Sequence, residues 1–519
     1  FNPSAAGTWI KKDPSGSMLV KGITAIDDIS LISVGGVSLA GIPGSAARIF
    51  ETTAGKKVNV ILISQASSEH TVCFAVKTSE SETALKALKK EFVKEIKSGQ
   101  VSISAVLNQS ILAMVGDGMC GVPGIAGKLF SALGNNRVNI TAIAQGGSER
   151  NISFTVDASN KVKALNVVHN EFFKGGSKNI FLVGAGNIGG ELLKQIYELQ
   201  KNNAFLKVCG IMDINNMILD EKGINLGGWK KNMAHGEKLD LEKWLSGAKL
   251  MNLPNKVLVD CTASEQVAKK YLEMAEAGFH IVTPNKKFNV RPMKEYKKLR
   301  EVLAENGEKF LYETNVGAGL PVISTIRDLI ASGDKITKIE GIFSGTLSFI
   351  FNLFDDSRLF SEVVAEAKEL GYTEPDPRED LSGNDIGRKL LVLAREIGLE
   401  MEMKDVKIEN LVPKVLRHGV ALEGFLKALP KYDGYFRKLA EKARAKNKVL
   451  RYVAKLKHGR ASASLQMVSS DNPLAFTRGA DNIFAFYTRR YNKRPLVVQG
   501  PGAGREVTAG GVLADILKI

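Results

Sequence analysis

Three runs of this chain bring together residue types that do chemistry. Gly371-Tyr372-Thr373-Glu374-Pro375-Asp376-Pro377-Arg378-Glu379-Asp380 concentrates four carboxylates in a loop stiffened by two prolines, and Asp385 and Lys389 follow. Residues four apart share one face of a helix, so this pair has two readings. One is a solvated surface pair, with Ser382 and Asp385 as a capping box. The other is a lysine proton donor oriented by Asp385, beside acids that bind an ammonium group. The second run, Gly184-Ala185-Gly186-Asn187-Ile188-Gly189, follows an apolar strand at 179–183 and opens a helix over 188–199; the next strand, 206–212, ends on Asp213. In that setting the first glycine makes a tight turn, the second admits a pyrophosphate and the third packs helix on strand. The helix N-terminus offers free N–H groups to the phosphates. Asp213 would accept from a ribose 2′-hydroxyl and repel a 2′-phosphate, but Lys222, Lys230 and Lys231 lie close in sequence, so NAD and NADP both stay open. The third run is Thr283-Pro284-Asn285-Lys286-Lys287, just beyond a strand at 280–282, where open α/β sheets bind ligands. Alone, such a lysine also reads as a solvated surface residue.

Two further segments are rich in glycine. Asn315-Val316-Gly317-Ala318-Gly319-Leu320-Pro321 crowds backbone carbonyls, as a hard cation requires. Gly500-Pro501-Gly502-Ala503-Gly504 lies near the C-terminus.

The elements that must position these residues follow from pattern. From 179 to 282 strands alternate with helices (one over 266–277), which predicts a parallel doubly wound sheet. Beyond about 309 the pattern is mixed, with strands at 336–343 and 496–499 and helices at 360–370 and 382–397. Ahead of a short joint, Gly175-Gly176-Ser177-Lys178, the chain repeats itself. A shift of 80 residues lays Gly41, Pro43, Gly44, Ala46 and Phe50 on Gly121, Pro123, Gly124, Ala126 and Phe130. It also lays Val58-Asn59, Ile63, Gln65, Ser68-Glu69, Phe74 and Val76 on Val138-Asn139, Ile143, Gln145, Ser148-Glu149, Phe154 and Val156. Each copy reads strand, helix, two antiparallel strands, helix, with strands at 29–34 and 111–115 and proline-led helices at 43–54 and 123–135. Long helices follow at 79–96 and 160–173, giving two small α+β sandwiches. The second copy lacks a final strand, and the spare strand 20–25 is available to supply it. Gln65 and Gln145 are equivalent under the shift; an amide there either captures a free amino acid or stabilises the fold.

Of 519 residues, 44% are hydrophobic and 24% charged, which excludes wholesale disorder. The net charge of +16 points to an anionic partner. No run approaches the roughly 18 apolar residues of a membrane helix. Cys73, Cys120, Cys209 and Cys261 lie far apart, without zinc spacing, which favours a reducing compartment. Arg437 to Arg460 is rich in Lys and Arg but lacks a recognised nucleic-acid-binding helix or aromatic platform.

Taken together, VGAGNIGG, VDCTAS, TPNKK, ETNVGAGLP, SGTLSFIF, GYTEPDPREDLSGNDIGRKL and GPGAGREVTAGGV resemble homoserine dehydrogenases from about Lys178 to Ile519. The doubled block resembles the paired ACT regulatory domains of bifunctional aspartokinase–homoserine dehydrogenases, and Phe1-Asn2-Pro3 to Gly7-Thr8 resembles the exit from their kinase domain. The chain, which opens on Phe, reads as a fragment of something larger, and kinase activity is not expected of it.

The resemblance implies an α/β and α+β chain with six parts. These are a linker remnant (1–19), two ferredoxin-like ACT domains (20–98 and 99–175) and a Rossmann-type dinucleotide-binding domain (177–310). An α+β substrate and dimerisation domain (311–480) and a C-terminal segment returning to the dinucleotide domain (481–519) complete it. It implies reversible hydride transfer between NAD(P) and aspartate 4-semialdehyde, giving L-homoserine. Lys389 is then the proton donor, Asp385 holds the reacting end, Glu374 and Asp380 receive the ammonium or hydroxyl, and Lys286 lies beside nicotinamide and substrate. Gly184, Gly186, Asn187, Ile188, Gly189, Asp213, Thr262, Lys286 and Gly504 contact the cofactor. Glu313, Val316, Ala318 and Leu320 match the family's monovalent cation (Na+ or K+) site. Gln65 and Gln145 become threonine-sensing residues in two non-identical sites. A homo-oligomer (dimer or tetramer) in the cytoplasm, or in a plastid if the source is a plant, is expected, with no nucleic-acid or membrane partner. The competing reading is an amino-acid-binding regulatory protein whose dehydrogenase half is catalytically silent.

Overall fold

The computed structural model describes residues 19–37, 39, 42–67, 70–173, 177–201, 206–355 and 357–519. The kinase-exit resemblance at Phe1 to Thr8, the repeat positions Gly41 and Ser68-Glu69, and the Gly175-Gly176 joint lie outside them. The chain divides into two units, residues 1–177 with 252–255, and residues 178–251 with 256–519.

In the first unit both copies share one antiparallel six-stranded sheet, in the order Leu62–Gln65, Thr71–Lys77, Gly22–Gly35, Ser102–Val115, Asn151–Asp157, Ala142–Gln145. The two central strands are twice the expected length because each serves both copies. Gly22 to Ile26 pairs with Val115 to Ile111, completing the second copy, whereas Ile29 to Gly35 pairs with both Lys77 to Thr71 and the start of Ser102–Val115. The crossover is an irregularity between Ile26 and Ile29, where Asp28 and its repeat mate Asn108 both take left-handed φ, 58° and 55°. Separate sandwiches were expected; instead, one face of the shared sheet packs helices over two cores, one built on Ile49, Phe74 and Leu88, the other on Leu129, Phe154 and Val168. The other face buries Ile29, Leu31, Leu62 and Ile111 as the sheet curls, until Ser64 Oγ donates to Ile143 O across its two outer strands (2.8 Å).

The proline-led helices start later than expected, at Ser45–Ala54 and Ile125–Asn135. Gly44 and Gly124 hold φ of 89° and 87°, which no right-handed helix accommodates, so each proline stays in the preceding turn. The expected 79–96 helix breaks at Phe92, giving Thr78–Glu91 and Val93–Lys97.

The second unit holds two sheets. One is doubly wound: Leu206–Met212, Lys178–Val183, Lys256–Asp260, Phe279–Val282 and Phe310–Leu311 run parallel in that order, and Asn216–Leu219 and Glu237–Lys238 extend it antiparallel. Counting the parallel strands alone, the second in sequence lies on one side of Lys178–Val183 and the third on the other, which makes the end of that first strand the topological switch point. The expected 266–277 helix is interrupted at Lys270. The other sheet runs Val406–Ile408, Arg460–Ser469, Lys448–Lys457, Ile336–Ile342, Asp481–Thr488, Leu496–Pro501. The chain's return to the dinucleotide-type sheet starts after Pro501: helix Arg505–Leu517 packs Ala509, Val512 and Ile516 into the core with Leu192, Leu193 and Ile196 of helix Asn187–Gln200.

The basic stretch is partly internal. Arg451 is buried and donates to the carbonyls of Phe351, Leu450, Leu474 and Ala475 and to Asn352 Oδ1. Burial lowers its pKa to about 10. Its role there is to satisfy backbone carbonyls left by the sheet and its covering helix. Among the described residues no helix is long and apolar enough to cross a membrane.

Candidate active site

A cleft of about 630 Å³ opens at the switch point, and nine of the nineteen sequence-selected residues meet in it. Asn187, Ile188, Thr262, Lys286, Ala318, Glu374, Asp385, Lys389 and Gly504 all line it. Gly184, Gly186, Gly189, Asp213, Glu313, Val316, Leu320 and Asp380 are not part of that lining.

The glycine turn is built as its spacing requires. Gly184 has φ 92°, and an added Cβ would sit 2.7 Å from Thr262 Cγ2; one on Gly189 would sit 2.0 Å from Gly184 O. At Gly186 nothing lies within 4 Å, which leaves the backbone open to close approach. Two helix N-termini, at Asn187 and at Arg505, line the same cleft and favour an anion there. Thr314, also in the lining, has a buried hydroxyl oxygen with no protein partner. An open glycine backbone, two helix ends and an unsatisfied hydroxyl fit a dinucleotide.

The opposite wall carries the charges. Helix Asn384–Glu396 begins after Gly383 (φ 72°), and Ser382 Oγ accepts from Asn384 N–H (3.2 Å), so the expected Ser382–Asp385 capping box is not formed. Asp385 instead turns to the lysines. Lys389 Nζ lies 3.0 Å from Asp385 Oδ2 and donates to Phe343 O at 2.7 Å; Lys286 Nζ lies 3.7 Å from Asp385 Oδ1, and Arg388 lies 3.5 Å from the same oxygen. Lys389 is 8% exposed, which sets it apart from a solvated i,i+4 pair. Crowding by protein opposes ionisation of Asp385, but Lys389, Lys286 and Arg388 outweigh it and hold the carboxyl well below its usual range. Desolvation lowers the pKa of Lys286, aided by Lys389 and Arg388 and opposed by Asp385. Glu374 is shifted upward by desolvation and then by Asp380, Glu379 and Asp385. Desolvation also raises Asp380, whose Oδ2 accepts from Glu374 N–H (2.8 Å) and whose Oδ1 accepts from Thr346 Oγ1 (2.8 Å); it shapes the acidic loop.

Sequence reasoning passed over the groups that hold this lining in place. Asp260, fully buried at the end of its strand, accepts from Thr262 N–H (2.8 Å), Thr262 Oγ1 (2.6 Å), Tyr271 OH (2.6 Å) and Asn285 Nδ2 (2.9 Å). It therefore ties the VDCTAS and TPNKK loops to one point. A carboxylate ending an apolar parallel strand beside the switch point was the available signal. Asn482 Nδ2 donates to Phe343 O (3.3 Å), the carbonyl that also takes Lys389, and a Cβ on Gly502 would meet Asn482 at 2.0 Å. Nothing in the local pattern marks that contact, because strand pairing brings it about.

The Glu313–Leu320 segment is organised around the start of helix Val322–Ala331. Glu313 Oε1 and Oε2 accept from Ile323 and Ser324 N–H (2.6 and 3.0 Å), and Gly317 and Ala318 take left-handed φ of 83° and 54°. In the first unit, Gln65 lines a pocket of about 400 Å³ with Leu39, Pro43, Gly44, Ser45 and Val72. Gln145 ends its strand in the same register, opposite Ile152 as Gln65 is opposite Val72.

A doubly wound sheet with an open glycine turn facing a lysine–carboxylate cluster is the arrangement of a dinucleotide-dependent oxidoreductase. Comparison with known proteins makes the class specific. The family model described as homoserine dehydrogenase matches residues 321–517, and that of the homoserine dehydrogenase NAD-binding domain matches 184–313. The ACT domain model matches twice, at 32–92 and 112–172. A homoserine dehydrogenase of Schizosaccharomyces pombe is 40% identical over 357 residues, covering 66% of this chain and 95% of the relative. The bifunctional aspartokinase/homoserine dehydrogenase of Haemophilus influenzae is 44% identical over 525 residues, all of this chain and 64% of the relative. The solved structure of a hyperthermophilic archaeal homoserine dehydrogenase mutant in complex with NADPH aligns at 25% identity and TM-score 0.52, covering 66% of this chain and 97% of that one. The chain belongs to the homoserine dehydrogenase family. It spans 64% of the length of the Haemophilus relative and 59% of its Arabidopsis thaliana counterpart.

Proposed function

We propose that the chain is a reversible, nicotinamide-dependent homoserine dehydrogenase that reduces L-aspartate 4-semialdehyde to L-homoserine, and that its first unit responds to L-threonine. The observation that carries the catalytic reading is Lys389, buried in the cleft with its ammonium between Asp385 Oδ2 and Phe343 O. A bound nicotinamide supplies the hydride to the aldehyde carbon and takes it back in reverse. Lys389 stabilises the negative charge that grows on the aldehyde oxygen and gives it a proton. Asp385 orients Lys389 and opposes the desolvation that lowers the proton affinity of Lys286. Glu374, exposed in the acidic loop, receives the substrate ammonium, while Asp380 fixes the loop and adds negative charge to it. Thr262, Lys286, Gly504 and the turn from Gly184 to Gly189 hold the dinucleotide; the archaeal relative's structure is of a complex with NADPH.

The proposal extends to the Glu313–Leu320 segment as a monovalent cation site. The Glu313 carboxylate is spent on capping a helix, so backbone carbonyls of Val316, Ala318 and Leu320 would do the binding, in a structural role. Gln65 and Gln145 are the threonine-sensing amides, Gln65 within a formed pocket. The protein acts as a homo-oligomer in the cytoplasm or, if of plant origin, in a plastid.

The direct test is spectrophotometric: L-homoserine with NAD or NADP should give reduced nucleotide, and the semialdehyde should consume it. Threonine binding without turnover in either direction would replace this reading with that of a silent regulatory protein.

A further inference from the structure

Which dinucleotide the cleft takes is decided at the end of strand Leu206–Met212, and the following inference rests on the dehydrogenase reading above. Asp213 directly follows this strand and is half-buried. Its Oδ1 accepts from the N–H groups of Asn215 (2.7 Å) and Asn216 (2.8 Å), and its own N–H donates to Asn216 O (3.0 Å). The carboxylate is thereby locked into the turn rather than free to swing through solvent. The glycine turn hangs on the preceding residue: Gly184 and Ala185 N–H both reach Met212 O, at 2.7 and 3.3 Å. A fixed carboxylate thus stands one residue beyond the anchor of the phosphate-binding turn. In doubly wound nucleotide folds, an acid at this point accepts from the hydroxyls of the adenosine ribose.

Among the described residues, none of the lysines that left the choice open in the sequence forms an ion pair with Asp213, whose Oδ1 is engaged by backbone N–H groups. Lys222 lies toward the other end of the strand, because Ile224 N–H bonds to Val208 O and Lys222 N–H to Asp220. Five residues of strand separate Val208 from Asp213, roughly 16 Å. Lys230 carries its ammonium over the Trp229 ring, 5.8 Å from the centroid. Lys231 follows on the same short helix, its carbonyl facing His235 Nδ1. Lys238, brought opposite Asn216 by sheet pairing, is flanked in sequence by Glu237 and Asp240.

We propose that Asp213 makes this chain selective for NAD(H) over NADP(H), accepting the ribose hydroxyl of the first and opposing the 2′-phosphate of the second. Binding, read apart from turnover, tests it: titrate NADH and NADPH into wild type, Asp213→Ala and Asp213→Asn, following nucleotide fluorescence or heat. Wild type should bind NADH at least about tenfold more tightly than NADPH. Both substitutions should narrow the ratio, chiefly by strengthening NADPH. Asp213→Asn keeps an oxygen for the Asn215 and Asn216 N–H groups while losing the charge, so a narrowed ratio there cannot be ascribed to a collapsed turn. Equal or tighter NADPH binding by wild type, or an unchanged ratio in Asp213→Asn, would overturn the proposal and leave the dehydrogenase reading standing. Binding of neither nucleotide would remove that reading and this proposal with it.

Discussion

The cleft of the second unit and the doubled sheet of the first place polar groups in opposite ways. In the cleft, charged side chains come from segments far apart in sequence and fix one another: Asp385 faces Lys389, Lys286 and Arg388 at once, and Phe343 O takes both Lys389 and Asn482. In the doubled sheet, one module is used twice, and Gln65 and Gln145 end equivalent strands 80 residues apart. The modules have since diverged inside. Where the first copy has Ile29, Ile61 and Ala75 on the face away from the helices, the second has Gln109, Thr141 and Thr155. Thr141 Oγ1 donates to Gln109 Oε1 (2.8 Å) and lies 2.7 Å from Thr155 Oγ1. A mutually fixed cluster should fail as a unit; a diverged repeat should fail one copy at a time.

The largest effect expected of that contrast is at Lys389. Lys389→Ala removes the proton donor and should lower kcat by about 10³–10⁴-fold. Nucleotide affinity, set mainly by the glycine turn and the two helix ends, should change far less. Steady-state kinetics beside a nucleotide titration will separate the two; unchanged turnover would take Lys389 out of the mechanism.

Asp385→Asn comes next, with a loss of about 10²-fold and a signature in pH. Asp385 raises the proton affinity of Lys286 against desolvation, so removing its charge lets Lys286 lose its proton at lower pH. The alkaline limb of kcat/KM should therefore move toward acid. A limb that stays in place would mean that the cleft charges act separately and would break the contrast with the repeat.

How much of this was legible in sequence follows the same division. The glycine turn, Asp213, Lys286 and the Asp385–Lys389 pair each sit in a short run whose local pattern carries its physics, and the Rossmann strands follow from alternation of strand and helix. Thr346 and Asn482 do not: each acts through a partner fixed by tertiary packing, and the Phe343 carbonyl has no side chain to read. Asp260 had its signal at the end of an apolar parallel strand, but its Tyr271 and Asn285 partners are brought by the fold. In the repeat, the 80-residue shift revealed two modules, and the want of a last strand in the second pointed correctly to the segment before Ile26. It did not reveal that Gly22–Gly35 and Ser102–Val115 are shared, because a 14-residue strand reads locally as two ordinary ones. The late helix starts were missed for a local reason: Gly44 and Gly124 follow the prolines, and only their positive φ shows that the helix cannot begin there.

The smallest expected effect on turnover, and the sharpest for the comparison, lies with the glutamines. If the repeat is modular, Gln65→Ala should weaken threonine inhibition by about tenfold, the worth of one lost hydrogen bond to a small ligand. Uninhibited kcat should stay within about twofold, since Gln65 belongs to the first unit and has no part in the charged cluster. Gln145→Ala should give a different number, because the polar Gln109–Thr141–Thr155 interior belongs to the second copy alone. Threonine titrations of wild type and both variants, read as inhibition constants and Hill slopes, measure this directly. Distinct shifts would mean that two similar sites have taken separate duties. Identical inhibition of wild type and Gln145→Ala would leave that amide a structural group and confine sensing to the Gln65 pocket. A fall in uninhibited kcat in either variant would show the repeat and the cleft to be one coupled device rather than two kinds of construction.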